Sequence, residues 1–198
     1  MISKLIPIVA ASILSIGCFN QNRKMLIDYQ FTAQENRLID HAIWEWHEAT
    51  GSPDAIVFVY HGAEFAHDFT LRDWLILDSN ARMYKIDRRD AGYEELAKKI
   101  PSDDGSYGEF VGLTSQGRVI LMTNNYYYNS RGEFFNEYFY SILLHELGHF
   151  FGISHTEHGV MSQPECPICI DKVAVDKFCN LYPTCHNPHS TCKEKKNK

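Results

Sequence analysis

The sequence predicts an α+β domain: a small twisted mixed β-sheet, an N-terminal helix, a central helix carrying the reactive residues, and a C-terminal helix. Three observations predict it. A capped run of helical periodicity follows Thr32, short β-branched and aromatic runs fill the middle of the chain, and an apolar stripe returns at helical spacing after residue 136.

The chain has 198 residues, a formal charge of −6 and 44% hydrophobic content. That is enough for one domain with a real core, and it leaves no basic footprint for nucleic acid. Lys4 precedes an apolar run over residues 5–16 that ends in small residues before Cys18. The run is too short to span a bilayer and fits a secretory signal peptide over residues 1–17, so export is expected. Leu14-Ser15-Ile16-Gly17-Cys18 also fits a lipobox, with Ser15 where an aliphatic residue is usual. Lipidation at Cys18 and simple cleavage both stay open. Residues 18–30 read as a short linker, 31–192 as the domain, and the lysine-rich 193–198 as a solvated tail.

Thr32-Ala33-Gln34-Glu35 has the spacing of a capping box. Leu38, Ile39, Ala42, Ile43, Trp46 and Ala49 then keep helical spacing until Gly51-Ser52-Pro53 ends the first helix. Residues 55–60 read as a buried strand, and 74–77 and 82–86 as shorter strands. Residues 91–100 read as a short helix stopped by Pro101, and Asp103-Asp104-Gly105 as a turn. Residues 109–114 and 118–123 look like two strands joined through Ser115-Gln116-Gly117. Tyr126, Tyr127 and Tyr128 read as an aromatic surface loop. Residues 170–181, with Val173, Ala174, Lys177 and Phe178 in helical register, close the domain.

The chemistry sits in one run, HELGHFFGISH. Phe139, Leu143, Leu147 and Phe150 form an apolar stripe, and His145, Glu146 and His149 fall off it. The helix can start near Ser130, with Glu133 at capping-box spacing, or at Asn136. Histidines four apart on a helix share a face and can offer two imidazoles to one ion. Gly152 can take the left-handed conformation that stops the helix, so that His155 returns as a third ligand. Three imidazoles leave a position open for water, as catalytic zinc sites do. Met161 follows six residues after His155.

HELGHFFGISH with the downstream Gly159-Val160-Met161-Ser162 resembles the metzincin clan of zinc endopeptidases and is most similar to its matrixin-like, compact bacterial members. The resemblance implies a zincin-like catalytic domain with one catalytic Zn2+ on His145, His149 and His155. It also implies Glu146 as general base and acid, Met161 as the Met-turn residue, and the C-terminal helix packed beneath that turn. In related enzymes, the strand in the place of residues 108–115 is the sheet edge along which an extended peptide lies. The stretch from His155 to Met161 is shorter than is usual in matrixins, no cysteine-switch propeptide is recognised, and the residues between Cys18 and the first helix leave little room for an inhibitory prodomain, so built-in latency is not expected.

Cys166, Cys169, Cys179, Cys185 and Cys192 cluster at the C-terminal end, and disulfides are the default in an exported chain. The rival is a second, structural zinc, because Cys166-Pro167-Ile168-Cys169 has ligand spacing and archaemetzincins carry a cysteine-bound second zinc in this region. His61 and His67-Asp68 do not have the spacing of the matrixin structural zinc. His41, His47, His158, His186 and His189 carry no pattern.

The expected function is therefore an exported, monomeric zinc endopeptidase, either free or lipid-anchored at Cys18. It would hydrolyse peptide bonds with a zinc-activated water and Glu146. The alternative is a non-catalytic zinc-binding surface lipoprotein or adhesin on the same fold. Retention of Glu146 argues against it, since binding zinc alone does not need that carboxylate.

Overall fold

A computed structural model describes residues 23–64, 81–90, 93–95, 98, 112–115, 119–162 and 167–192. In chain order the elements are β1 (Arg23–Asp28), α1 (Ala33–Thr50), β2 (Val57–Ala63), β3 (Ala81–Ile86), β4 (Gly112–Ser115), β5 (Val119–Thr123), α2 (Asn136–Phe150) and α3 (Lys172–Leu181). Short 3-10 turns cover Pro53–Ala55 and Asn124–Tyr126. The expectations for 74–77, for the 103–105 turn and for the tail fall outside the described residues. So does most of 91–100, of which Tyr93 to Glu95 are helical.

Among the described residues five strands form one mixed sheet in the order β2-β1-β3-β5-β4. β2, β1, β3 and β5 run parallel, and β4 joins antiparallel to β5 at one edge. The architecture is mixed α/β. The linker expected over 18–30 contains β1, which makes α1 the crossover of a parallel β-α-β unit. Met25 and Ile27 sit in the core, but six residues flanked by polar ones carry too little alternation to announce a strand.

α1 follows the sequence closely. Thr32 Oγ1 accepts from Glu35 N at 3.2 Å, the Glu35 carboxylate accepts from Thr32 N at 2.7 Å, and Gly51 closes the helix at φ 58°. Glu35 does more than cap. It is fully buried, where Lys85 Nζ of β3 reaches it at 2.8 Å and Tyr128 Oη donates to it at 3.1 Å. A buried carboxylate needs such partners, and these tie the start of α1 to the sheet and to the segment leading into α2.

β2 begins two residues later than expected, and only its first residue, Val57, is buried. It lies at the sheet edge opposite β4, with Phe58 and Tyr60 half exposed. The tyrosine loop also differs from expectation. Tyr127 is buried against Phe139, with ring centroids 4.9 Å apart. Burial and the nearby Glu146 and Glu35 carboxylates push its phenol well above the ordinary range.

The core lies between the sheet and the pair α1 and α2. Met25, Ile27, Met83, Ile120 and Met122 face Ile39, Ile43, Trp46, Phe139, Leu143 and Leu147. Trp46 satisfies its indole N–H on Leu144 O at 3.1 Å, joining the two helices through a buried hydrogen bond. α2 starts at Asn136, and its N-cap residue Phe135 makes no side-chain cap. Tertiary packing of the apolar stripe therefore holds the helix start in place of local capping.

Candidate metal centre

α2 positions His145, Glu146 and His149, as their four-residue helical spacing requires. The helix ends at Phe150, Gly152 takes φ 88°, and the chain turns back to bring His155 over the two helical imidazoles. His155 Nε2 lies 3.3 Å from His145 Nε2 and 3.0 Å from His149 Nε2. A tetrahedral ion with bonds of about 2.0–2.1 Å holds its nitrogen ligands roughly 3.3–3.4 Å apart, so the spacing fits one zinc.

The other ring nitrogens are occupied. His145 Nδ1–H donates to Val160 O and His149 Nδ1–H to Ile153 O, each at 2.8 Å. These bonds select the tautomer that leaves Nε2 with its lone pair facing the ion. Burial acts in the same direction. It lowers the pKa of His145 to about 4 and that of His149 as well, which favours the neutral, ligating form.

Met161 is fully buried beneath α2, against Gly148. A Cβ at Gly148 would stand 2.2 Å from Met161 Sδ, so the glycine is the space the methionine occupies. Val160 and Met161 form the turn after His155, and Thr156 N donates to Met161 O at 3.0 Å to close it. The short 155–161 stretch thus suffices to bring a methionine under the site.

Glu146 is buried on the side of β4. Thr114 Oγ1 lies 2.7 Å from Glu146 Oε2, and a Cβ at Gly112 would stand 2.7 Å from Glu146 Cγ. The edge strand approaches the carboxylate this closely because it presents a glycine there. Burial raises the Glu146 pKa to about 7, against the opposing pull of the Thr114 hydrogen bond.

A family model described as Peptidase family M54 matches residues 102–187, a segment that carries the whole three-histidine run. That match supports a zinc metallopeptidase. In fold the chain is similar to the archaemetzincin of Methanopyrus kandleri, with a TM-score of 0.52 and 15% identity over 82% of this chain and 97% of that one. A second similar structure is the archaemetzincin of Archaeoglobus fulgidus complexed with malonate, with a TM-score of 0.47 and 12% identity over 78% and 99% of the two chains. No curated protein matches. The match and the fold likeness support a zinc metallopeptidase and do not single out the matrixin-like members. Its cofactor is zinc, and His145, His149 and His155 are the residues that can hold it.

Four of the clustered cysteines form disulfides, Cys169 with Cys192 and Cys179 with Cys185. They are therefore not ligands of a second zinc; Cys166 lies outside the described residues. His61 is exposed and bonded to Asn36 and Asp40, and His67-Asp68 is not described. Sequence reasoning missed three residues around the centre: Thr114, Gly112 and Asp171. Their partners are 32, 34 and 11 positions away in sequence, and no local pattern marks them.

Proposed function

We propose that this chain is an exported zinc-dependent endopeptidase in which Glu146 serves as general base and then general acid. The observation that carries this reading is the buried Glu146 carboxylate, packed under a sheet edge next to three imidazoles whose Nε2 atoms meet. A site for zinc alone has no need of a buried acid, which costs free energy to keep ionised.

When bound, zinc supplies Lewis-acid polarisation of the scissile carbonyl and lowers the pKa of a water. Glu146 takes the proton from that water and delivers it to the leaving amine, so no covalent intermediate forms. A base with a pKa near neutrality is suited to both transfers. Among the described residues β4 has one neighbouring strand, β5, and its other edge would pair with the main chain of an extended peptide. That supports a protein or peptide substrate read mainly through its backbone, by a monomeric enzyme. The apolar leader and the two disulfides support an oxidising destination outside the cytosol, with a lipid anchor at Cys18 as one form of it.

The test compares wild type with Glu146→Ala on casein and on a labelled peptide library, with and without a chelator, while zinc content is followed. Expected is a loss of turnover of at least about 100-fold in the variant with zinc retained, and loss in the wild type on chelation. Equal turnover by the variant removes the base. Zinc binding without hydrolysis of any peptide favours the non-catalytic surface protein.

A further inference from the structure

We propose that Asp171 is a positioning residue for the zinc centre: its carboxylate ties the methionine turn to the start of α3 and thereby fixes the ring of His145. This rests on the reading of the three histidines as a zinc site and not on the identity of the substrate.

The two carboxylate oxygens have separate tasks. Oδ1 caps α3, accepting from Val173 N at 2.9 Å and Ala174 N at 3.1 Å. Oδ2 leaves the helix and accepts from Val160 N at 2.7 Å. The approach is close enough that a Cβ on Gly159, whose φ is 86°, would stand 2.0 Å from Oδ2. Val160 in turn offers its carbonyl to His145 Nδ1–H at 2.8 Å. One residue therefore links the Asp171 carboxylate to a metal ligand.

Asp171 is itself anchored. Its neighbour Ile170 donates to Thr191 Oγ1 at 2.8 Å and accepts from Thr191 N at 2.9 Å and Ser190 Oγ at 2.9 Å, beside the Cys169–Cys192 disulfide. The C-terminal strap, residues 182–192 after α3, thus supports Asp171, Asp171 supports Val160, and Val160 orients His145. His149 provides an internal control, because its Nδ1–H goes to Ile153 O within its own loop.

The test uses the disulfide-bonded full chain and zinc alone as probe. Asp171→Asn keeps the cap, since asparagine caps about as well as aspartate, but turns an amide donor toward the Val160 N–H. Expected is a zinc dissociation constant raised roughly tenfold or more, with apo-protein helix content retained. The slowly exchanging Nδ1–H signal of His145 should weaken while that of His149 stays. An unchanged dissociation constant, or equal loss of both signals, overturns the proposal. Asp171→Ser, which caps but is too short to reach Val160, should behave alike. If neither variant folds, a through-hydrogen-bond coupling between Val160 N and the Asp171 carboxylate carbon in the wild type decides, and its absence overturns the proposal. A wild type that binds no zinc removes the metal centre first, and that failure is distinct from a zinc-binding variant that is indifferent to position 171.

Discussion

Thr114 holds Glu146: its Oγ1 lies 2.7 Å from one carboxylate oxygen and 3.1 Å from the main-chain carbonyl of the same residue. The edge strand along which a substrate would lie is thereby fastened to the group that would move the proton. The hydroxyl hydrogen can serve the carboxylate, and it favours the ionised form against the burial that opposes it. Thr114→Val keeps the shape and removes the donor. A hydrogen bond to a charged group contributes about 1.5–3 kcal/mol, so kcat/KM should fall roughly ten- to a hundredfold, with zinc content unchanged. Thr114→Ser should recover most of the loss. Full activity in the valine variant would show that the carboxylate is positioned by packing alone.

Gly148 and Met161 support a second prediction. In an isolated helix Gly148→Ala would be favourable by about 1 kcal/mol. Here the added methyl meets Met161 Sδ and, at 3.3 Å, Trp46, and overpacking of this kind costs about 1–3 kcal/mol. Packing wins over propensity. A lower thermal midpoint and weaker zinc retention are expected, and a midpoint above wild type would show that Met161 relaxes freely.

The buried imidazoles predict a pH dependence of the zinc-free protein. His145 has a pKa lowered to about 4 in the folded state, and His149 is lowered too, against an ordinary value of about 6.5 when unfolded. Between those values these imidazoles bind protons in the unfolded chain and not in the folded one, which lowers stability as pH drops, while Glu146, raised to about 7, acts in the opposite sense. With Glu146→Gln removing that opposing group, urea midpoints measured in chelator at pH 7 and pH 5 should differ, with pH 5 lower. His145→Asn should flatten the slope, and an equally steep slope in that variant would place its origin elsewhere.

The disulfides predict unequal losses. Cys169–Cys192 closes a sequence separation of 23 and Cys179–Cys185 one of 6. On chain-entropy grounds Cys169→Ser should cost about 3 kcal/mol and Cys179→Ser about 2 kcal/mol. The longer bridge holds the strap whose His186 and His189 amides cap Thr50 O and Ala49 O at the end of α1. Peptide mapping checks the pairing, and denaturant unfolding of the single variants checks the order.

Local chemistry was legible in the chain. The Thr32–Glu35 capping box, the Gly51 stop, the apolar stripe of α2 and the Gly152 turn each depend on residues within a few positions of one another. Periodicity and backbone freedom therefore express them directly. The convergence of His145, His149 and His155 was legible for the same reason, because one helical turn and one glycine bring the three rings together.

What the chain alone left open was set by long-range packing. β1 is a strand because β2 and β3 flank it, and Tyr127 is buried because Phe139 lies under it. Pairing among the cysteines follows the path of the strap, which no spacing rule encodes. Residues four apart on a helix share a face and one glycine turns the chain back, so the sequence by itself determined that three imidazoles meet. Thr114 and Asp171 reach the centre only after sheet, turn and strap have closed around it, so only the tertiary structure decided what holds Glu146 and His145 in place.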